Sequence, residues 1–320
     1  MCMKKILIIR NDHIGDLVLS TAVFREIKKF IPDSKVTLII NKTNRSIVDK
    51  NPYIDEIIEL NMANYSLKSI RQYLKIAMRL KGKFDVGVDL RGGIMNSLFL
   101  LWLTGIEKRI SRIDHHPIIK YLLTNPIKIN KKTHATEDNL KIINNGLGIN
   151  SSDKTLEIVV DKEDEKYVNK FIKENKLKNY VCICPITGLI EKQWPLKNWM
   201  EIIKNFDKKY KLILLGTKGE ENILEELCKL NKNCKYFINF DVRKLLLLFK
   251  NSKLVLTQDG GPMHIAWASE AKLIELHNLF LYGMNKVTPL NNSKIIYTKC
   301  IDMNSISVEE VEKEVKKALK

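Results

Sequence analysis

The amino-acid sequence predicts an α/β fold of two successive doubly wound domains. Three observations predict it. Short continuous apolar runs, such as Lys5–Ile9 (KILII), Val36–Ile40 (VTLII), Tyr180–Cys184 (YVCIC) and Lys211–Leu215 (KLILL), suit parallel strands covered on both faces. Segments of helical period separate them, at the pace of a βαβ chain. The pattern stops in a polar, charge-rich stretch from Asn150 to Asp164 and then restarts. A chain of 320 residues accommodates two such domains, expected at 1–155 and 156–320.

Strand Lys5–Ile9 leads into the polar loop Arg10–Asp16. The following helix carries Leu17, Thr21, Phe24, Ile27 and Ile31 on one side, and Pro32 ends it. After Val36–Ile40 come a helix near Asn44–Lys50, a short strand Ile54–Leu60 and a basic amphipathic helix Leu67–Lys81. Phe84–Leu90 is a strand running into Arg91-Gly92-Gly93, Ile94–Leu103 an apolar helix and His134–Gly146 another helix. In the second half, Lys162–Asn175 is a charged helix. Tyr180–Cys184 stops at Pro185, and the loop Ile186–Pro195 precedes helix Leu196–Phe206. Lys211–Leu215 runs into Gly216-Thr217-Lys218-Gly219, followed by helices Glu221–Leu230 and Val242–Phe249. Leu254–Thr257 is a buried strand that Asp259-Gly260-Gly261 breaks. Pro262 then suits a first helical position before Met263–Ser269. Lys272–Leu276 is the next strand, and Ser307 with Glu310 makes a capping box for the closing helix.

Hydrophobic content of 45% and charged content of 28% are ordinary for a globular protein. Lys+Arg 54 against Asp+Glu 37 leaves +17, which favours an anionic partner, a membrane surface before nucleic acid. There is no concentrated basic tail and no basic stretch interleaved with aromatics. The six cysteines show no CxxC pair and no metal-ligand spacing, as expected of ordinary thiols in a reducing compartment. No apolar run reaches membrane-spanning length, and the N-terminal run is too short for a signal peptide. A cytoplasmic protein is expected.

In open α/β sheets, ligands bind beyond the carboxyl ends of the strands. Three loops fall there, and two consecutive domains would hold them around a cleft. The first carries Asp16, able to take a proton from an attacking hydroxyl or to cap the following helix, with Asp12 as second candidate. The second offers Thr187, Gly188 and Lys192 to a diphosphate, although a lone lysine is more often a solvated one. The third is a strand–glycine turn–helix unit with Asp259 and His264, fit for a phosphate at the helix start or simply a capped turn. Beyond the next strand, Glu220 suits ribose hydroxyls or a first helical turn.

Four blocks in this order resemble family 9 glycosyltransferases, the ADP-heptose:lipopolysaccharide heptosyltransferases. They are KILIIRNDHIGDLVLSTAVFREIKKFIPDSKVTLI, FDVGVDLRGGIMNSLFLLWLTGIEKRI, EKQWPLKNWMEII and QDGGPMHIAWAS. The resemblance implies a GT-B fold, two Rossmann-like domains facing a central cleft. The acceptor would lie on the N-terminal domain and the nucleotide sugar on the C-terminal one, with the last helix, about 307–320, packing back on the first. It implies inverting transfer of heptose from ADP-heptose to the anionic, lipid-linked lipopolysaccharide or lipooligosaccharide inner core. It implies no metal and no cofactor, and a location on the inner face of the inner membrane. By carry-over Asp16 is the general base, and Thr187 and Lys192 bind donor phosphates. Glu220, or else Glu221, holds the nucleoside. Asp259, Gly260, Gly261 and His264 form the pyrophosphate and sugar loop, and Arg10 and Arg91 contact the acceptor. Gly260 stands in place of the family's Thr, Glu270 where Gly is common, and His277-Asn278 in place of Phe-Gly. These departures keep open another nucleotide-sugar donor or a non-catalytic binding relative.

Overall fold

A computed structural model describes residues 3–60, 66–114, 116–130, 132–282, 286–290 and 293–320. Cys2 lies outside them. The chain divides into two units, 1–159 and 160–320, so the boundary falls four residues beyond the expected one. The segment after Ser151 belongs to the first unit because it is tied there. Glu157 N donates to Thr21 Oγ1, and Arg25 bonds the Thr155 carbonyl and the Glu157 carboxylate.

Unit 1 contains β1 (Lys5–Arg10), β2 (Lys35–Ile40), β3 (Glu56–Glu59), β4 (Val86–Asp89), β5 (Lys108–Arg112) and β6 (Asn125–Ile127), all parallel in the order β3-β2-β1-β4-β5-β6. Past the exposed Lys5 and Lys35 that open β1 and β2, the central strands are buried, which their unbroken apolar runs require. Helices α1 (Ile14–Val18), α2 (Thr21–Phe30), α3 (Arg45–Val48), α4 (Leu67–Leu80) and α5 (Ala135–Leu147) connect them. The expected helix at Ile94–Leu103 is instead a π-helical segment, Asn96–Trp102. There Leu103 N reaches back five residues to the Leu98 carbonyl.

Unit 2 repeats the plan, with β7 (Tyr180–Cys184), β8 (Lys211–Gly216), β9 (Cys234–Ile238), β10 (Leu254–Gln258), β11 (Leu273–His277) and β12 (Lys294–Tyr297) in the order β12-β11-β10-β7-β8-β9. Its helices are α6 (Lys162–Glu174), α7 (Leu196–Asn205), α8 (Glu221–Lys229), α9 (Val242–Lys250), α10 (Gly261–Ala268), α11 (Leu279–Tyr282) and α12 (Val308–Ala318). Trp194 and Trp199, both fully buried, meet edge to face at 5.1 Å in its core, an arrangement worth about 1 kcal/mol beyond the area buried.

The closing helix contributes to the core of its own unit. Val308, Val311 and Val315 of α12 are used within unit 2, in the cluster that holds Trp199, Ile202 and Ile203 of α7. Tyr210 Oη and Lys272 Nζ donate to its last carbonyls, at Leu319 and Ala318. Glu270 has φ 59, a left-handed backbone. Glycine is at home there, and a side chain costs about 1 kcal/mol.

Candidate functional site

In unit 1 the polar residues collect at the carboxyl ends of β1 and β4. Asp16 sits in the first turn of α1, with its side chain 37% exposed. It is not the cap, because His13 holds the N-cap position. Arg10, at the end of β1, is buried beneath it. Its guanidinium donates to the Asp16 carbonyl at 3.1 Å, the Leu90 carbonyl at 2.8 Å and Asp16 Oδ1 at 3.3 Å. Three of its N–H groups are thereby used within the protein, and it clamps the Asp16 turn from behind. Asp12 Oδ1 lies 3.4 Å from Arg10 Nε. Burial pushes the Asp12 carboxyl up to about 6, against the pull of Arg10 and Arg91. Its environment thus opposes ionisation, whereas the Asp16 carboxylate is open to solvent.

Behind this surface lies a network that the sequence reading missed. Asp89, fully buried at the end of β4, accepts from the backbone N–H groups of Arg91, Gly92 and Gly93 and from Asn96 Nδ2. Asn11, Tyr73 and Asn96 close a ring of hydrogen bonds of 2.7 to 3.0 Å. Burial pushes the Asp89 carboxyl up, while Asn96, the N–H groups of Arg91 and Gly93 and the Arg91 charge draw it back. Gly92, at φ +79, cannot be replaced freely: a Cβ would meet Arg112 Cγ at 2.5 Å. The signal was the spacing of Asp89 from Gly92 and Gly93, an Asp gathering the N–H groups of the turn that follows it. Arg91 is half-buried, and its charge bears on Asp12 and Asp89.

In unit 2 the structure brings Thr187, Lys192, Asp259 and Gly260 together at the ends of β7 and β10. Lys192 Nζ pairs with Asp259 Oδ2 at 2.6 Å, both side chains nearly buried. Thr187 Oγ1 donates to the Asp259 carbonyl at 3.0 Å. Gln193 and Gln258 both donate to the Pro185 carbonyl, and Gln258 also accepts from Trp194 N, so the turn carrying Lys192 is stapled to β7 and β10. Gly260 is extended (φ 171) and caps α10, which Gly261 and Pro262 begin and whose first turn holds the buried His264. A Cβ at Gly260 would lie 3.4 Å from Thr187 Oγ1, so a hydroxyl stands beside the position where the family's Thr is missing. The whole forms a helix start with open N–H groups, flanked by a hydroxyl and an ammonium, a combination suited to an anion.

Glu220 stands apart. Its Oε2 accepts from Thr217 N at 2.7 Å in a capping box, and Gly216 makes room for it, since a Cβ there would lie 2.6 Å from that oxygen. Glu221, the first residue of α8, lines a cavity of about 540 Å³ with Tyr236, Phe237 and Phe240.

The His277-Asn278 departure acquires a physical reason. Glu275 and His277 are both fully buried, with Nδ1 and Oε1 2.8 Å apart. Burial pushes the Glu275 carboxyl up; burial alone would push His277 down, but the carboxylate carries it up. Asn278 Nδ2 donates to the Glu191 carbonyl at 2.8 Å and the Ile301 carbonyl at 2.9 Å. It thereby straps the turn that carries Lys192. Asn278→Gly, which restores the family's residue, leaves those carbonyls without that donor. We expect it to raise the donor KM about tenfold, with kcat within about twofold, in a steady-state titration of the donor.

A family model described as glycosyltransferase family 9 (heptosyltransferase) matches residues 73–317. Lipopolysaccharide heptosyltransferase 1 of Campylobacter coli is 23% identical, over 97% of this chain and 96% of its own. The lipopolysaccharide core heptosyltransferase OpsX of Haemophilus influenzae is 22% identical, over 90% of this chain and 82% of its own. Two solved structures show the same fold. A family 9 glycosyl transferase from Veillonella parvula has a TM-score of 0.83 at 21% identity, covering 99% and 97% of the two chains. ADP-heptose lps heptosyltransferase II of E. coli has a TM-score of 0.80 at 18% identity, covering 98% of each.

Proposed function

The chain belongs to glycosyltransferase family 9, and we propose that it moves a heptose from ADP-heptose to the inner core of lipopolysaccharide or lipooligosaccharide, inverting the anomeric carbon without a metal. The observation that carries this reading is Asp16, a solvent-open carboxylate held from behind by a buried arginine at the end of the first strand. Asp16 takes the proton of the acceptor hydroxyl as that oxygen attacks the anomeric carbon. The bond from that carbon to the diphosphate oxygen breaks on the opposite side, and ADP leaves with the electron pair. A single in-line displacement inverts the centre.

On the donor side, Lys192, Thr187 and the N–H groups of Gly260 and Gly261 meet the negative charge that grows on the diphosphate. Asp259 orients Lys192, His264 faces the same phosphates, and Glu220 or Glu221 holds the ribose. The acceptor is lipid-linked, which puts the working enzyme on the cytoplasmic face of the inner membrane. Among the described residues no helix is long and apolar enough to cross it. Gly260, in place of the family's Thr, favours a second reading in which another nucleotide carries the sugar. Thermal shift with ADP, UDP and GDP decides between them. At a hundred times its Kd, ADP should stabilise the protein by about 2.7 kcal/mol, roughly 5–10 °C, and the other two by much less. A larger shift with UDP or GDP would replace the donor assignment.

A further inference from the structure

The basic helix α4 has a second apolar stripe, and the fold supplies its neighbours. The connections β3 to β4, β4 to β5 and β5 to β6 all step the same way across the unit 1 sheet. Right-handed crossovers therefore lay α4, the π-helical segment Asn96–Trp102 and the 3-10 turn Pro117–Leu122 side by side on one face. Their inner sides share one core, with Tyr73, Leu100 and Ile119 buried in it. Their outer sides carry large apolar groups in the open: Leu67, Leu74 and Met78 on α4, Trp102 at 49% exposure, and Ile118 and Tyr121 on the turn.

Basic residues flank this strip. Lys68, Arg71, Lys75, Arg79, Lys81 and Lys83 are all exposed, and the chain has no Asp or Glu between Glu59 and Asp85. Lys120 adds a further ammonium, 4.8 Å from the Tyr121 ring. The three segments are far apart in sequence, so the mixture of basic and aromatic groups is visible only once they are folded together.

We propose that this outer layer of unit 1 docks on an anionic lipid bilayer. Trp102, Tyr121, Met78 and Ile118 would enter the headgroup boundary while the α4 cations meet lipid phosphates. A Trp and a Tyr beside aliphatic groups prefer the membrane interface, and each Lys or Arg near an anionic surface adds attraction. The charge pattern selects a bilayer over a protein partner because cations outnumber carboxylates around an apolar centre, Arg79 being paired with Glu56 at 3.5 Å while α4 itself carries no Asp or Glu. This deepens the preceding proposal, in which the acceptor is lipid-linked. Vesicles without acceptor test the surface by itself, so failure here would leave the transfer assay untouched.

The whole protein should sediment with phosphatidylglycerol–phosphatidylcholine vesicles and not with phosphatidylcholine alone. Lipids brominated near the headgroup should quench Trp102 fluorescence, and Trp102→Phe should abolish that quenching. Lys68→Glu/Arg71→Glu/Lys75→Glu should lower the partition coefficient at least about a hundredfold, and Met78→Glu/Trp102→Glu about tenfold. Both variants should keep the wild-type thermal shift with ADP, which shows them folded. Millimolar inorganic phosphate should leave partition unchanged; competition by it would mean a free-phosphate site. No sedimentation of the wild type, equal sedimentation of the variants, or a dimer in ultracentrifugation that Trp102→Glu dissolves would each overturn the proposal.

Discussion

Asp16→Ala is expected to lower kcat about a thousandfold while leaving ADP affinity within about twofold of wild type. A positioned general base is worth roughly a hundred- to ten-thousandfold. The truncation should be well tolerated, because two of Arg10's three bonds in this cluster go to the backbone carbonyls of Asp16 and Leu90 and survive the change. Asp12 is no substitute base, since it lies buried against Arg10. Single-turnover kinetics and nucleotide titration together check the point. Parallel loss of transfer and of ADP binding would remove Asp16 from the role of base.

His277→Phe, which also restores the family's residue, is expected to destabilise unit 2 by about 3–5 kcal/mol. The cause is the fully buried Glu275, whose partner at 2.8 Å would vanish. Removing one member of a buried pair leaves an uncompensated charge or forces protonation. Replacing both, as in Glu275→Leu/His277→Phe, should return stability to wild type or above it, because the desolvation cost goes with the pair. Urea unfolding of the two singles and the double measures the cycle. A His277→Phe variant as stable as wild type would mean that Glu275 needs no partner.

The central strands were legible because they are buried on both faces and read as unbroken apolar runs. The strands the sequence reading passed over lie mostly at sheet edges. β6 (NPI) contains a proline, and β9 and β12 are only half covered. β5 (KRISR) was hidden by its charges. Among the candidate residues, the Thr187, Lys192, Asp259 and Gly260 cluster could be anticipated because all four follow strand ends. The roles of Arg10, Glu220 and Asn278 could not. Each depends on a contact with a carbonyl or an N–H, which residue type does not announce. Gly260 and His277-Asn278 depart from the family's residues, and residue type alone does not show what stands around them. The structure surrounds them with the Thr187 hydroxyl, a buried ion pair and a strap on the Lys192 turn.

Mass spectrometry of the product made from ADP-heptose and a truncated, heptose-free lipid-linked core tests the central proposal most directly. The acceptor should gain the mass of one heptose, with one ADP released per transfer and the opposite anomeric configuration to the donor. It should do so in the presence of a chelator. An unchanged acceptor mass, with ADP-heptose intact or merely hydrolysed, would contradict the proposal.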